Sequence, residues 1–331
     1  MKKTQVALAA LALVASTAAL ADGVTVYGNL EGGFVKGNNT STAFSGAGHW
    51  NASAFGLKGS EDLGGGLTAS FNVEGGIDTN TGGTNNGGTT GLFNRATWLA
   101  IGGEAGTLKL GNQLSPFILS YVTSLGLAGN NFLVPVCAAA NACDGNDAAG
   151  TSTKTGGFFI PNAASYSVTA NGISAQVLHA TDNGVDQGKL TAGNVSFNVG
   201  SAYITAAMSS RTDAYRNYLV GATLPIGDIK LAANYIDHTD KSGTNANSST
   251  ITVGATYALT GSTTVGLNYS KTSVVDAVDP SLTNLSVMHA LSKRTSAFAY
   301  YNKGTNGSGV SYQGSTTDAT SAIGVGVAHA F

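Results

Sequence analysis

The chain closes on Ile323-Gly324-Val325-Gly326-Val327-Ala328-His329-Ala330-Phe331. Bulky and small residues alternate with a period of two, the signature of a strand whose two faces meet different surroundings. The last residue is itself aromatic. Termini of soluble domains tend to fray, so an apolar strand ending on a C-terminal Phe is out of place as a free edge. A closed barrel has a use for it, because its last strand pairs with its first and no edge remains. An ordinary edge strand of a secreted β protein is the other reading of this tail, and the remaining sequence separates the two.

The front end is built for export. Met1-Lys2-Lys3 is a positive start, Val6 to Leu20 is an uncharged, mainly apolar run, and Ala19-Leu20-Ala21 is a small-x-small cleavage site. Residues 1–21 therefore read as a signal peptide with the mature chain, 22–331, beginning at Asp22; the run is too short and wrongly flanked for a permanent helical span. No later stretch reaches 18 uncharged apolar residues. Composition leans the same way: 46 Gly, 5 Pro and 10% charged residues, against about 25% charged in an ordinary soluble domain. A surface facing lipid needs no charge. With 42% apolar residues the chain is not of disordered composition. Without the leader, 14 basic face 18 acidic residues, a net charge of −4, and no basic patch invites nucleic acid. Cys137 and Cys143 lie six positions apart. In an oxidising compartment a small disulfide-closed loop is expected; a free thiol pair is the alternative, and a zinc site would need further ligands that the neighbourhood lacks.

From Asp22 onward one texture repeats, segments of about ten alternating residues joined by tight and long connections in turn, as in a transmembrane barrel. Sixteen such segments are expected, at 23–36, 49–59, 66–77, 91–102, 106–114, 162–170, 172–181, 189–199, 202–211, 216–225, 229–238, 249–259, 263–273, 282–291, 295–302 and 319–331. The fold class is thus all-β, a 16-stranded antiparallel transmembrane barrel. An even count brings both termini to the periplasmic side. Leu67, Ala69, Phe71 and Val73 share one phase; Thr68, Ser70, Asn72 and Glu74 share the other. Ile229, Leu231, Ala233 and Tyr235 oppose Lys230, Ala232 and Asn234 in the same way. A sandwich would also show two phases, but its surface would carry more Lys and Glu. Here the second phase is short and uncharged, which fits a crowded aqueous lumen. Tyr27, Phe34, Phe55, Tyr166, Tyr203, Tyr257, Tyr269 and Tyr300 are candidates for interfacial girdles, or simply residues of high β-propensity.

Several stretches resemble the general porins of β-proteobacteria, the neisserial and comamonad type. They are Gly23-Val24-Thr25-Val26-Tyr27-Gly28, then Phe55 through Leu67 with its Glu61-Asp62-Leu63-Gly64-Gly65-Gly66 turn, then Phe93-Asn94-Arg95 with Gly106-Thr107-Leu108-Lys109-Leu110-Gly111, and the tail. The likeness is patchy but spans the mature chain. It implies a homotrimer in the outer membrane of a Gram-negative bacterium, embedded in its lipid and passing ions and small hydrophilic solutes. It also implies that Val327, His329 and Phe331 form the signal read by the barrel-assembly machinery. It departs where the family is often basic: Asn112 follows Leu110-Gly111, Pro161 to Tyr166 open the sixth strand without Arg, and Ala328 and Ala330 flank His329. Strong anion selectivity is therefore not carried over.

The longest connection, Ser115–Gly157, follows the fifth segment, where the family folds its third outer loop into the lumen. Phe117, Ile118, Leu119, Tyr121, Leu125, Phe132, Leu133, Val134 and Val136 make it too apolar for a solvated tail, and Ile118–Leu127 suits a short helix. The pair Cys137–Cys143 would stiffen its far half. Asp144 and Asp147 either supply negative charge at the constriction or mark a solvated loop edge. On the wall Lys58, Glu74, Lys109 and Lys230 fall in the polar phase, with Lys58 and Lys109 as the expected basic side. Arg95 falls in phase with Thr97, Leu99 and Ile101, away from the lumen or at the strand's end. His179, His289 and His329 share apolar phases, near the membrane interface, and no His sits in a nucleophile motif. A diffusion channel with no cofactor, no metal and no covalent chemistry is the expectation. A channel specific for neutral solutes such as sugars, a barrel enzyme and a secreted adhesin are its rivals.

Overall fold

The computed structural model describes residues 22–46, 52–84, 91–125, 158–181, 188–243, 246–305 and 320–331. The predicted leader, Cys137, Cys143, Asp144, Asp147 and His49 lie outside the described residues. The strands are β1 (Asp22–Gly37), β2 (Ala43–Ser45), β3 (Ala54–Gly64), β4 (Leu67–Gly76), β5 (Thr97–Gly103) and β6 (Gly106–Leu114). Helix α1 (Pro116–Ser124) follows, then β7 (Phe159–Ala170), β8 (Ile173–Ala180), β9 (Leu190–Val199), β10 (Ala202–Arg211) and β11 (Tyr215–Ile226). The last six are β12 (Ile229–Asp240), β13 (Ser248–Ala258), β14 (Thr263–Val274), β15 (Ser281–Ala290), β16 (Thr295–Thr305) and β17 (Ser321–Ala330).

All but β2 form one wall. Each strand pairs antiparallel with the next, and β1 pairs with β3 on one side and β17 on the other, so the sixteen strands close into a barrel. The sixteen expected segments correspond to these strands with shifted ends, β3 starting at Ala54 rather than 49. Strand β3 runs on to Gly64, into what reads as a turn. Residues 91–96 are turn-like, so β5 begins only at Thr97. The three-residue β2 pairs with the upper part of β1, Phe34 opposite Phe44, where no strand was expected. Tight turns carry the chain at one end. Asn171 and Gly172 there have φ of 51° and 77°, the two left-handed residues that a two-residue hairpin needs.

The two phases separate as read. On β12, Leu231 and Tyr235 are 41% and 48% exposed, whereas Asn234 and Ile236 are 3% and 0%. The outward set continues around the wall as Val26, Leu99, Ile101, Leu110, Val220, Leu267, Leu285 and Val325, a belt that water would not tolerate on a monomer and lipid would. Among the girdle candidates Phe34, Tyr166, Tyr257 and Tyr269 face outward. Tyr27, Tyr300 and Tyr203, whose hydroxyl lies 3.4 Å from Thr123 Oγ1 of the helix that follows β6, do not. All three share the inward phase of their strands, Tyr27 hydrogen-bonding to Asn72 and Tyr300 buried at 3% exposure.

The tail shows why its second phase is small. Glycines 324 and 326 face inward beneath the rings of Tyr300 and Phe298 on β16, and a Cβ on either would meet those rings. At the seam, the Phe331 N–H donates to Gly28 O at 3.0 Å and the Gly28 N–H to Phe331 O at 3.2 Å. The Phe331 ring lies over Gly28, in the space where a Cβ would stand. The terminal aromatic thus closes the wall onto a glycine that leaves it room.

Helix α1 crosses into the barrel. Pro116 at its start has no N–H to lose and pre-sets φ. Phe117, Ile118, Tyr121 and Leu125 are fully buried, in one cluster with Leu219, Ile236, Leu282, Phe298 and Tyr300 from the wall. Its polar side is bonded to the wall as well: Thr205 Oγ1 and Asn194 Nδ2 donate to Ser120 Oγ at 2.8 and 3.0 Å. The rest of the expected loop, including Leu127, lies outside the described residues.

Candidate functional site: the pore lining

The lumen-facing residues of β1, β3, β4, β5 and β6 make a charged arc. Cross-strand register sets Thr25, Lys58, Asn72 and Trp98 in one row on β1, β3, β4 and β5. Tyr27, Gly56 and Glu74 form the next row. The Tyr27 hydroxyl lies 2.8 Å from both Asn72 Oδ1 and Glu74 Oε2. Lys58 Nζ stands 5.1 Å from the centre of the Tyr27 ring, and Lys109 Nζ, reaching over from β6, 4.3 Å from that of Trp98. Such stacking contributes about 0.5–1 kcal/mol where exposed and about 2 where water is excluded. It holds each ammonium near the wall without neutralising it.

Glu74 is neutralised. Arg95 Nε donates to its Oε1 at 2.5 Å, with both side chains largely buried, and the Arg95 guanidinium lies 4.8 Å from the Phe159 ring centre. Arg95 therefore faces inward from just before the start of β5, which fits the strand-end alternative and corrects the placement away from the lumen. The alternation that sent it outward does not apply, because residues 91–96 are not strand and the chain turns before β5 begins. Lys58, Glu74 and Lys109 occupy the inward phase expected of them. Among the described residues, neither Lys58 nor Lys109 makes an ion pair. Lys230 shares the inward phase of β12, exposed near the tight-turn end. The partner rings were missed in the sequence, although Tyr27 falls in phase with Thr25 and Asn29 and was legible as inward on that ground.

A cleft of about 380 Å³ opens between this arc and the helix. Tyr27, Glu74 and Arg95 line it together with Leu114, Ile118, Val122, Phe158 and Phe159. The far wall carries hydroxyls and amides that bond across strands. Thr250 pairs with Thr272 at 2.8 Å, Thr252 with Ser270 at 3.1 Å, and Asn284 with Asn302 at 2.6 Å. Nothing in these ladders is charged.

The three expected interfacial histidines face outward, and each Nδ1 meets a cross-strand threonine hydroxyl: His179 with Thr191 at 3.0 Å, His289 with Thr263 and His329 with Thr295 at 2.9 Å. Val327, His329 and Phe331 lie on the outward phase of the closing strand. Away from the membrane, in the connection after β14, the Val274 N–H donating to Asp279, aided by the Lys271 ammonium at 3.3 Å, holds that carboxyl below the ordinary carboxylate range.

Comparison with known proteins agrees with this architecture. Residues 7–309 match the Gram-negative porin family. Outer membrane porin protein 32 of Delftia acidovorans is 38% identical over 124 residues, which cover 35% of this chain and 33% of that protein. An outer membrane porin protein of Bordetella pertussis is 27% identical over 100% of both chains. The anion-selective porin from Comamonas acidovorans superposes with a TM-score of 0.74 at 24% identity, over 93% of this chain and 99% of that one. The trimer form of OmpT from Vibrio cholerae superposes at 0.68 with 14% identity, over 93% and 99%. With a family match over most of its length and a closed wall that is apolar outside and polar within, the chain belongs to the Gram-negative porins, channel-forming β-barrels of the outer membrane.

Proposed function

We propose that this porin is a general-diffusion channel biased toward anions. Sixteen strands leave an aqueous lumen by geometry, and charge at a narrow passage raises the local concentration of the opposite sign. The observation that carries the sign is the contrast on one arc: Glu74 is matched by Arg95, while Lys58 and Lys109 stand over rings without an ion-pair partner among the described residues. Asp144 and Asp147 are the acidic counterweight that would reduce the bias, and a Cys137–Cys143 disulfide would stiffen the loop bearing them. The chain works as a homotrimer in outer-membrane lipid, after export and loss of residues 1–21. Val327, His329 and Phe331 serve as its signal to the assembly machinery.

The test is the reversal potential of the refolded protein across a potassium chloride gradient in a planar bilayer. An anion-favouring potential at about 0.1 M salt that shrinks toward zero near 1 M is expected, because the screening length falls from about 10 to about 3 Å. A cation-favouring potential would show that the acidic side prevails.

A further inference from the structure

Helix α1 lies against the inner face of the wall, and one wall residue beneath it has no side chain. Gly221 sits in the middle of β11, in the inward phase between Leu219 and Thr223. Register places it between Thr205 on β10 and Asn234 on β12. Both neighbours reach the helix: Thr205 Oγ1 donates to Ser120 Oγ at 2.8 Å, and Asn234 Nδ2 to the Ser124 carbonyl at 3.5 Å. Between these two arms the row has a notch, and Ser124 fills it. A Cβ on Gly221 would clash with Ser124 Cβ and stand 2.5 Å from its Oγ. Ser124 is fully buried, and its Oγ donates to the Tyr121 carbonyl at 3.0 Å, so swinging it aside would cost that bond. A glycine inside a strand weakens it, and close approach by another part of the chain is a recurrent reason for one.

Away from the wall, α1 exposes Leu119 and Val122, and Val122 lines the same cleft as Tyr27, Glu74 and Arg95. We propose that Gly221 sets the bore of the channel. By admitting Ser124 to the wall it fixes how far α1 stands out into the lumen, although it touches no solute itself. Ordinary contacts between such atoms lie at about 3.5 Å, so a methyl group at 221 would move the helix end inward by roughly 1 Å. The proposal rests on the channel reading but not on the sign of its ion preference. Gly254 on β13 is the contrasting case. A Cβ there would meet Asn268 Oδ1, the tip of a side chain that can turn away, and would stand 3.2 Å from the Leu125 carbonyl. Alanine at 254 therefore displaces an amide before it displaces the helix.

The experiment records single-channel conductance in potassium chloride, together with the largest of a graded series of polyethylene glycols that still enters the pore. Gly221→Ala is expected to lower the conductance by about one quarter and to lower the polymer size limit, with the sign of the reversal potential unchanged. Ser124→Gly, added to Gly221→Ala, empties the notch again and should restore both values, which a merely weakened strand would not show. Gly254→Ala should have the smaller effect. Unchanged or higher conductance in Gly221→Ala, or a loss that Ser124→Gly does not restore, would overturn the proposal. If Gly221→Ala does not fold, Ser124→Thr thickens the same contact from the helix side and is expected to lower the conductance likewise; wild-type conductance from that folded variant would overturn the proposal. The unsubstituted protein is recorded first, so a folded barrel without current defeats the channel reading itself and is told apart from failure of the seat.

Discussion

Two arcs of one wall differ in how their inward residues use their polarity. Along β1 and β3 to β6, cations lean on Tyr27 and Trp98 and keep their charge toward the passage. Along β13 to β16, hydroxyls and amides face the lumen with the same alternation but bond to one another across the strands. Both arcs look polar in sequence. Only the first offers an ion a charge without an ion-pair partner among the described residues; the second offers neutral groups. On the proposed reading, the stacked and unpaired charges of the first arc bias the ions, and the neutral ladder lines the passage without adding to that bias.

The sharpest break in this comparison is reversal of the charged arc. Lys58→Glu with Lys109→Glu should invert the sign of the reversal potential, measured as above; an unchanged sign would mean the selective charges lie elsewhere. Next comes the neutral arc. Thr272→Val alone leaves the Thr250 hydroxyl buried without its partner and should cost about 1–3 kcal/mol, read as a lower denaturant midpoint of the barrel in detergent. Adding Thr250→Val should recover most of that loss, while neither variant moves the reversal potential; a selectivity change here would dissolve the distinction between the arcs. A smaller effect is expected from Glu74→Gln. It releases Arg95 from its ion pair at 2.5 Å and should deepen the anion preference without inverting anything.

The smallest effect concerns Asp279. Its folded-state pKa lies below the unfolded value of about 3.9, so its contribution is complete above that value and is lost as pH falls through the depressed one. Exchange protection of the Val274 amide should follow that loss. Asp279→Asn should remove the pH dependence while leaving ion selectivity as it was.

Much of this was legible in the sequence because a barrel wall obeys a period of two. All sixteen wall strands, the lipid and lumen phases, and the inward placement of Lys58, Glu74 and Lys109 follow from it. The period fails where the backbone leaves the strand. Counting back from Thr97 places Arg95 either away from the lumen or at the strand's end, and only the second survives because residues 91–96 turn; its partner Glu74 is legible only alone. The rings beneath the cations depend on cross-strand register, which alternation within single strands does not contain. Tyr27, Tyr203 and Tyr300 follow the β-propensity alternative rather than the girdle, because each sits in the inward phase of its strand. In Tyr300 the inward ring is licensed by Gly324 on the neighbouring strand, a pairing visible only once the strands are side by side.

The seat of Phe331 on Gly28 has a consequence in time. Every other seam of the wall joins strands that follow one another along the chain, and each can zip as soon as its own hairpin exists. The last seam joins the first strand to the final residue, across nearly the whole polypeptide. Contacts of such long separation are the slowest to form. Until that seam forms, β1 has an unsatisfied edge, and no earlier segment can stand in for the missing ring. Removing Phe331 would take the ring off Gly28 and break the paired bonds beside it, so the wall closes only through this contact of long separation.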